Sequence, residues 1–195
     1  MTKTVVGLLR HGQTDWNIDF RLQGTSDIPL NATGIAQAEL AGKVIDANDW
    51  DVLLTSPLSR ARDTASIVAN EAGFERITIE PMLLERSFGE AEGLKHEDWK
   101  AQYGDHAPVP GGESLEDLAM RCWELLEMLE KNYHGKRVLV VSHGALIRKL
   151  IKLVSKGELP REGERFGNAS MSTIIHDRFG WGIGDYNPKT LTLKD

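Results

Sequence analysis

Two histidines, each followed by glycine, stand at the ends of apolar runs. Val5-Val6-Gly7-Leu8-Leu9 leads into Arg10-His11-Gly12-Gln13-Thr14, and Val138-Leu139-Val140-Val141 leads into Ser142-His143-Gly144. Short continuous apolar runs of this kind read as buried strands. A glycine at the exit allows a tight turn and the close approach of a ligand to the backbone. Imidazole can act as a nucleophile, a hydrogen-bond donor or a metal ligand. A metal is disfavoured because Arg10 would hold a permanent cation beside it. Neither an HxH nor an HExxH spacing occurs, and no carboxylate adjoins either histidine. An arginine and two imidazoles at strand exits suit an anion, and phosphate chemistry in particular.

Further candidates stand at other strand exits. The stretch 51–55 reads as a strand, and Ser56-Pro57 after it as a helix start, with serine as N-cap and proline at the first helical position. Arg60 falls in the first turns of that helix, where the N-terminus already favours an anion; Arg62 reads as a surface residue. Leu83-Leu84 reads as a strand delivering Glu85.

The elements that must position these residues alternate. After the first strand, 17–30 reads as a long loop, of the kind that is often functional. Asn31 opens a helix with Ile35, Ala38, Ala41, Gly42, Val44 and Ile45 on its inner face. A third strand is expected over 76–81. Regularity fades between 86 and 112, which reads as a cap over the site, with a short helix over 96–103, lined by some of Trp99, Tyr103 and His106. Ser114-Leu115-Glu116-Asp117 has the form of a capping box opening a long amphipathic helix. A further helix begins near Gly144, and two edge strands, 171–176 and 181–186, close the chain. Strands alternating with helices predict an α/β fold: three α/β/α layers around a mostly parallel sheet, in one domain of 195 residues with the cap inserted. Ligands bind such sheets outside the carboxyl ends of the strands. Arg10, His11, Arg60, Glu85 and His143 would meet there.

Composition narrows the function. The net charge of −6 argues against general nucleic-acid binding, which needs a basic footprint. No apolar run is long enough to span a membrane, and no signal peptide is apparent, so a cytoplasmic location is expected. Cys122 is the sole cysteine and reads as a small core residue.

In these motifs the chain resembles the histidine phosphatase superfamily, also called the phosphoglycerate mutase-like family. The matching pieces are Leu9-Arg10-His11-Gly12-Gln13-Thr14 with Asn17; Gln23-Gly24 with Asp27, Pro29, Leu30 and Gly34; Thr55-Ser56-Pro57-Leu58-Ser59-Arg60-Ala61 with Thr64; Glu85 with Phe88-Gly89 and Glu92-Gly93; and Val141-Ser142-His143-Gly144. Gly112-Glu113-Ser114 is similar to the phosphatase branch. The resemblance implies that His11 is phosphorylated during turnover and that Glu85 is the proton donor. It implies that Arg10, Arg60 and His143 hold the phosphoryl oxygens, with Asn17, Gln23, Gly24 and Gly144 binding substrate. No metal or other cofactor is implied, since arginines supply the charge.

The expected activity is hydrolysis of a small phosphorylated metabolite. A phosphoglycerate mutase-type transfer is the alternative, disfavoured by a short segment after Glu85 and by acidic cap residues (Glu90, Glu92, Glu97, Asp98 and Asp105) that would not welcome a second phosphate. A non-catalytic phosphate-binding module is a second alternative, disfavoured because every expected group is present. The terminal edge strands and Trp181 could support a homodimer.

Overall fold

The computed structural model describes residues 2–104 and 108–193; the expectations placed on Asp105 and His106 lie outside the described residues. Six strands form one sheet in the order β3-β2-β4-β1-β5-β6. They are β1 (Thr4–Arg10), β2 (Val52–Thr55), β3 (Ile77–Ile79), β4 (Arg137–Ser142), β5 (Met171–Asp177) and β6 (Gly180–Ile183). The first four are parallel to one another, whereas β5 runs antiparallel to β1, and β6 antiparallel to β5, along one side. The helices are α1 (Asp15–Ile18), α2 (Ala32–Val44), α3 (Ser59–Ala72), α4 (His96–Tyr103), α5 (Leu115–Asn132) and α6 (Gly144–Val154).

The period of two along a strand sorts the core into two layers. Leu8, Leu54, Val138 and Val140 face α5 and α6, where they pack with Leu118, Leu125, Leu146, Ile147, Leu150 and Ile151. Leu9, Leu53, Leu139 and Val141 face the other way, against Ala41, Ala61, Ala65 and Val68 of α2 and α3. The three layers expected from the alternating pattern are therefore present.

Several local expectations are corrected. Ser56 and Pro57 do not cap α3: its N-cap is Leu58, without a side-chain bond, and the Ser59 N–H instead donates to Asp27 Oδ1 at 2.7 Å. Leu83-Leu84 is not a strand; Pro81–Leu83 is a 3-10 turn whose N-cap, Glu80, accepts from the Met82 N–H. The first residues of the expected 17–30 loop belong to α1, which is opened by a capping box between Thr14 and Asn17. On α2 the buried line is Gly34, Ala38, Ala41 and Gly42, while Ile35 is exposed. Small residues prevail there because α3 crosses closely: a Cβ on Gly42 would lie 2.5 Å from Glu71 Cβ.

Gly12 also serves a purpose other than ligand approach. A Cβ there would meet the Gly34 carbonyl at 2.3 Å, and one on Gly34 would meet the Gln13 carbonyl at 2.1 Å. The pair lets the start of α2 pack directly on the backbone that follows His11.

The segment after Glu85 forms a small lobe with its own core of Leu22, Ala91, Trp99 and Val109. Trp99 and Tyr103 pack within or against that core.

Candidate active site

The parallel register brings the candidate residues together. Arg10 pairs with Ser142 and Thr55 with Val141. The ladder continues past the strand ends, where His11 N–H donates to Ser142 O at 2.9 Å and Ser56 N–H to Val141 O at 3.1 Å. His11 and His143 are thereby neighbours, with ring centroids 5.2 Å apart. His11 Nδ1 lies 2.6 Å from Gly12 O. A carbonyl only accepts, so Nδ1 carries the proton and Nε2 keeps its lone pair. His143 Nε2 bonds Ser56 Oγ at 2.7 Å.

Arg60 is 1% exposed, and its guanidinium donates to Ser26 O and Gly24 O at 2.8 and 2.7 Å. That loop is held by Glu92, whose carboxylate accepts the backbone N–H groups of Thr25, Ser26 and Phe88. Gly24 has φ +52°, and a Cβ there would strike Glu92 Oε1. Arg10 donates to Phe166 O at 2.5 Å and lies against Gly144. Thr64 links α3 to the site, accepting from Gly12 N–H at 3.0 Å and donating to Arg60 O at 2.7 Å.

Glu85 sits at the start of α6. Its Oε1 accepts from the N–H groups of Arg86 and Leu146, and its Oε2 from that of Ala145. The preceding turn is clamped by Arg121, which donates to Met82 O and Leu84 O and pairs with both carboxylate oxygens of Glu113 at 2.8 Å. Ser142 Oγ adds a bond to Leu83 O at 2.8 Å.

Asn17 Oδ1 accepts from Thr14 N–H and Asn168 Nδ2, both at 3.1 Å, leaving Nδ2 as its donor. A cavity of about 660 Å³ adjoins the cluster, sharing Arg10, Asn17 and Gly144 with it. Gln23 and Gly24 do not line it: Gln23 is buried, and Gly24 acts through its carbonyl on Arg60. Nor do Trp99 and Tyr103, the expected cap lining; His96 and Lys100 of α4 line it instead. Glu90, Glu92, Glu97 and Asp98 are likewise absent from its wall.

Burial and mutual repulsion dominate the electrostatics. Burial, then the charges of Arg10 and Arg60, holds His11 well below the ordinary imidazole range. Burial and then His11, Arg60 and Arg10 do the same to His143. Burial lowers Arg10 to about 10, so it remains a cation at neutral pH. Among the described residues, Arg10 Nε, Arg60 Nε and His143 Nδ1 are buried without a hydrogen-bond partner. Unpaired buried donors are costly, and the two guanidinium N–H groups beside the imidazoles suit an anion. Burial works to raise the Glu92 carboxyl, but the bonds from Ser26, Thr25 and Phe88 outweigh it and the net shift is downward.

Sequence reasoning misses Asn168, which donates to both His11 O and Asn17 Oδ1, and the Arg121–Glu113 clamp. Glu113 stands in the Gly112-Glu113-Ser114 motif, but no local pattern marks Asn168 or Arg121. Ser56 stands out in the sequence, but as a helix cap rather than as the partner of His143.

Comparison with known proteins gives a consistent result. The profile of the histidine phosphatase superfamily (branch 1) matches residues 6–189. An uncharacterized phosphatase, PhoE, of Bacillus subtilis is 41% identical over 184 residues, covering 94% of each chain. A 2,3-bisphosphoglycerate-dependent phosphoglycerate mutase of Allorhizobium ampelinum is 36% identical over 80% of this chain and 81% of its own. A mycobacterial glucosyl-3-phosphoglycerate phosphatase, solved as a complex with VO3, superposes with a TM-score of 0.79 at 29% identity, covering 96% of this chain and 99% of that one.

Proposed function

Since the chain belongs to the histidine phosphatase superfamily, we propose that it is a phosphomonoesterase acting on a small phosphorylated metabolite through a phosphohistidine on His11. The observation that carries this reading is the His11 tautomer: the Nδ1–H bond to Gly12 O leaves Nε2 as an unprotonated nucleophile among buried cations. Nε2 attacks phosphorus, and the bond to the alkoxide breaks as Glu85 gives that oxygen a proton. Water then attacks the phosphohistidine, losing its proton to Glu85, and releases phosphate and free His11. Arg10 and Arg60 stabilise charge on the transferring oxygens with His143 and Asn17, as preorganised donors do in such sites. The guanidiniums supply the positive charge, so no metal is required.

The test is phosphate release from a panel of phosphomonoesters in excess EDTA, with wild type and His11→Ala. Release that survives EDTA and vanishes in the variant is expected. No release from any ester would overturn the hydrolase reading. The mutase relatives support a second reading, which predicts phosphoryl transfer between phosphoglycerates, dependent on a bisphosphoglycerate, at rates exceeding hydrolysis.

A further inference from the structure

The cavity beside the cluster has a charge unlike that of the molecule. On a chain of net charge −6, its wall carries, among the described residues, the cationic side chains of Arg10, Arg21, Lys100, Arg148 and Arg165 and one carboxylate, that of Glu164. Glu164 is already engaged, accepting from Tyr186 OH at 2.5 Å and Arg161 N–H at 3.0 Å. A concentrated local field of one sign attracts the opposite charge whatever the net balance.

Arg10 serves the phosphoryl group in the proposed function, and Arg21 bonds Gly93 O and Asp19. Arg148 and Arg165 have guanidinium donors to spare. Arg148 gives one N–H to Glu164 O at 2.7 Å. Arg165 lies over the Phe20 ring, its guanidinium carbon 5.6 Å from the centroid, a contact that requires none of its N–H donors. Among the described residues, neither Arg148 nor Arg165 has a carboxylate within 4.0 Å. Phe20 itself has φ +54° and is 64% exposed. A left-handed non-glycine residue is strained, and here the strained residue carries an apolar ring at the cavity mouth beneath a cation.

We propose that the organic part of the substrate carries a second anionic group, a carboxylate or a phosphate, and that Arg148 and Arg165 are the specificity-determining residues that bind it. The proposal rests on the phosphomonoesterase reading. An ester whose phosphate lies at His11 has room for its organic part in this cavity, because Arg10, Asn17 and Gly144 border both. The residues proposed to select the substrate stand on α6 and on the 161–168 segment.

Matched esters differing in one acidic group test this. 3-Phosphoglycerate is compared with glycerol 3-phosphate for a carboxylate, and fructose 1,6-bisphosphate with fructose 6-phosphate for a phosphate. At least one acidic member is expected to have a kcat/KM tenfold or more above its partner, and that ratio should collapse toward one, through KM, in Arg148→Met and Arg165→Met. Binding of the same pairs to His11→Ala by calorimetry reads the preference without turnover. Turnover with no preference in either pair overturns the proposal and leaves the hydrolase reading intact. A binding preference without turnover by wild type overturns the hydrolase reading alone. An alkyl ester with an uncharged aromatic organic part, such as benzyl phosphate, surpassing every acidic one would also overturn the proposal, giving the cavity to Trp16 and Phe20.

Discussion

Glu85 is held by three backbone N–H groups, two of them from the first turn of α6. Its position is thus set by the backbone, while the proposed role depends on its proton. Glu85→Gln removes that proton transfer and turns an amide NH2 toward one or more backbone donors. General acid–base catalysis contributes about 10²–10⁴-fold, so phosphate release from an alkyl ester should fall by that order. The kcat/KM for p-nitrophenyl phosphate, which reports phosphorylation of His11 by an ester whose leaving group needs no proton, should fall much less. Comparing kcat/KM on both esters decides it; equal losses would count against Glu85 as the proton donor.

At the scale of elements, the site depends on backbone packing that admits no side chain. Gly34→Ala would ordinarily favour a helix by about 1 kcal/mol. Here its Cβ would lie 2.1 Å from the Gln13 carbonyl oxygen, which is backbone and cannot rotate away. Overpacking costs typically about 1–3 kcal/mol, so a net loss of stability is expected, with a fall in Tm of about 2–4 °C per kcal/mol for a chain of this size. Thermal melting of the variant checks this, and a Tm at or above wild type would refute it. The Glu92 contacts show the same dependence: a carboxylate in the lobe holds the loop whose carbonyls hold Arg60.

For the whole molecule, burying two imidazoles among cations links stability to pH. The folded pKa values of His11 and His143 lie well below the ordinary 6.5, first through burial. Between the folded values and 6.5 the unfolded chain binds protons that the folded chain does not. Stability is therefore fully present above about 6.5 and is lost as the pH falls below it, by at most about 1.4 kcal/mol per histidine per pH unit. Tm should drop between pH 7.5 and pH 5.5, and the drop should be smaller in His143→Asn. An unchanged slope in that variant would place the dependence elsewhere. Inorganic phosphate should raise Tm, since a ligand of the folded state stabilises it.

The residues able to do chemistry, and the strand exits that carry several of them, are legible in the sequence. Apolar runs, helical period and turn residues are local properties, so Arg10, His11 and His143 can be placed at strand ends without knowing any neighbour. The segment before Glu85 reads wrongly as a strand because two leucines before a polar residue do not distinguish a strand from a 3-10 turn. Tertiary structure alone decided the partners. Ser56 meets His143, Asn168 meets Asn17, and Arg121 clamps the turn before Glu85 because sheet register and helix packing bring distant segments within hydrogen-bond range. The same holds for Arg148 and Arg165, ordinary charges in the sequence that become the wall of a cavity only when the chain folds.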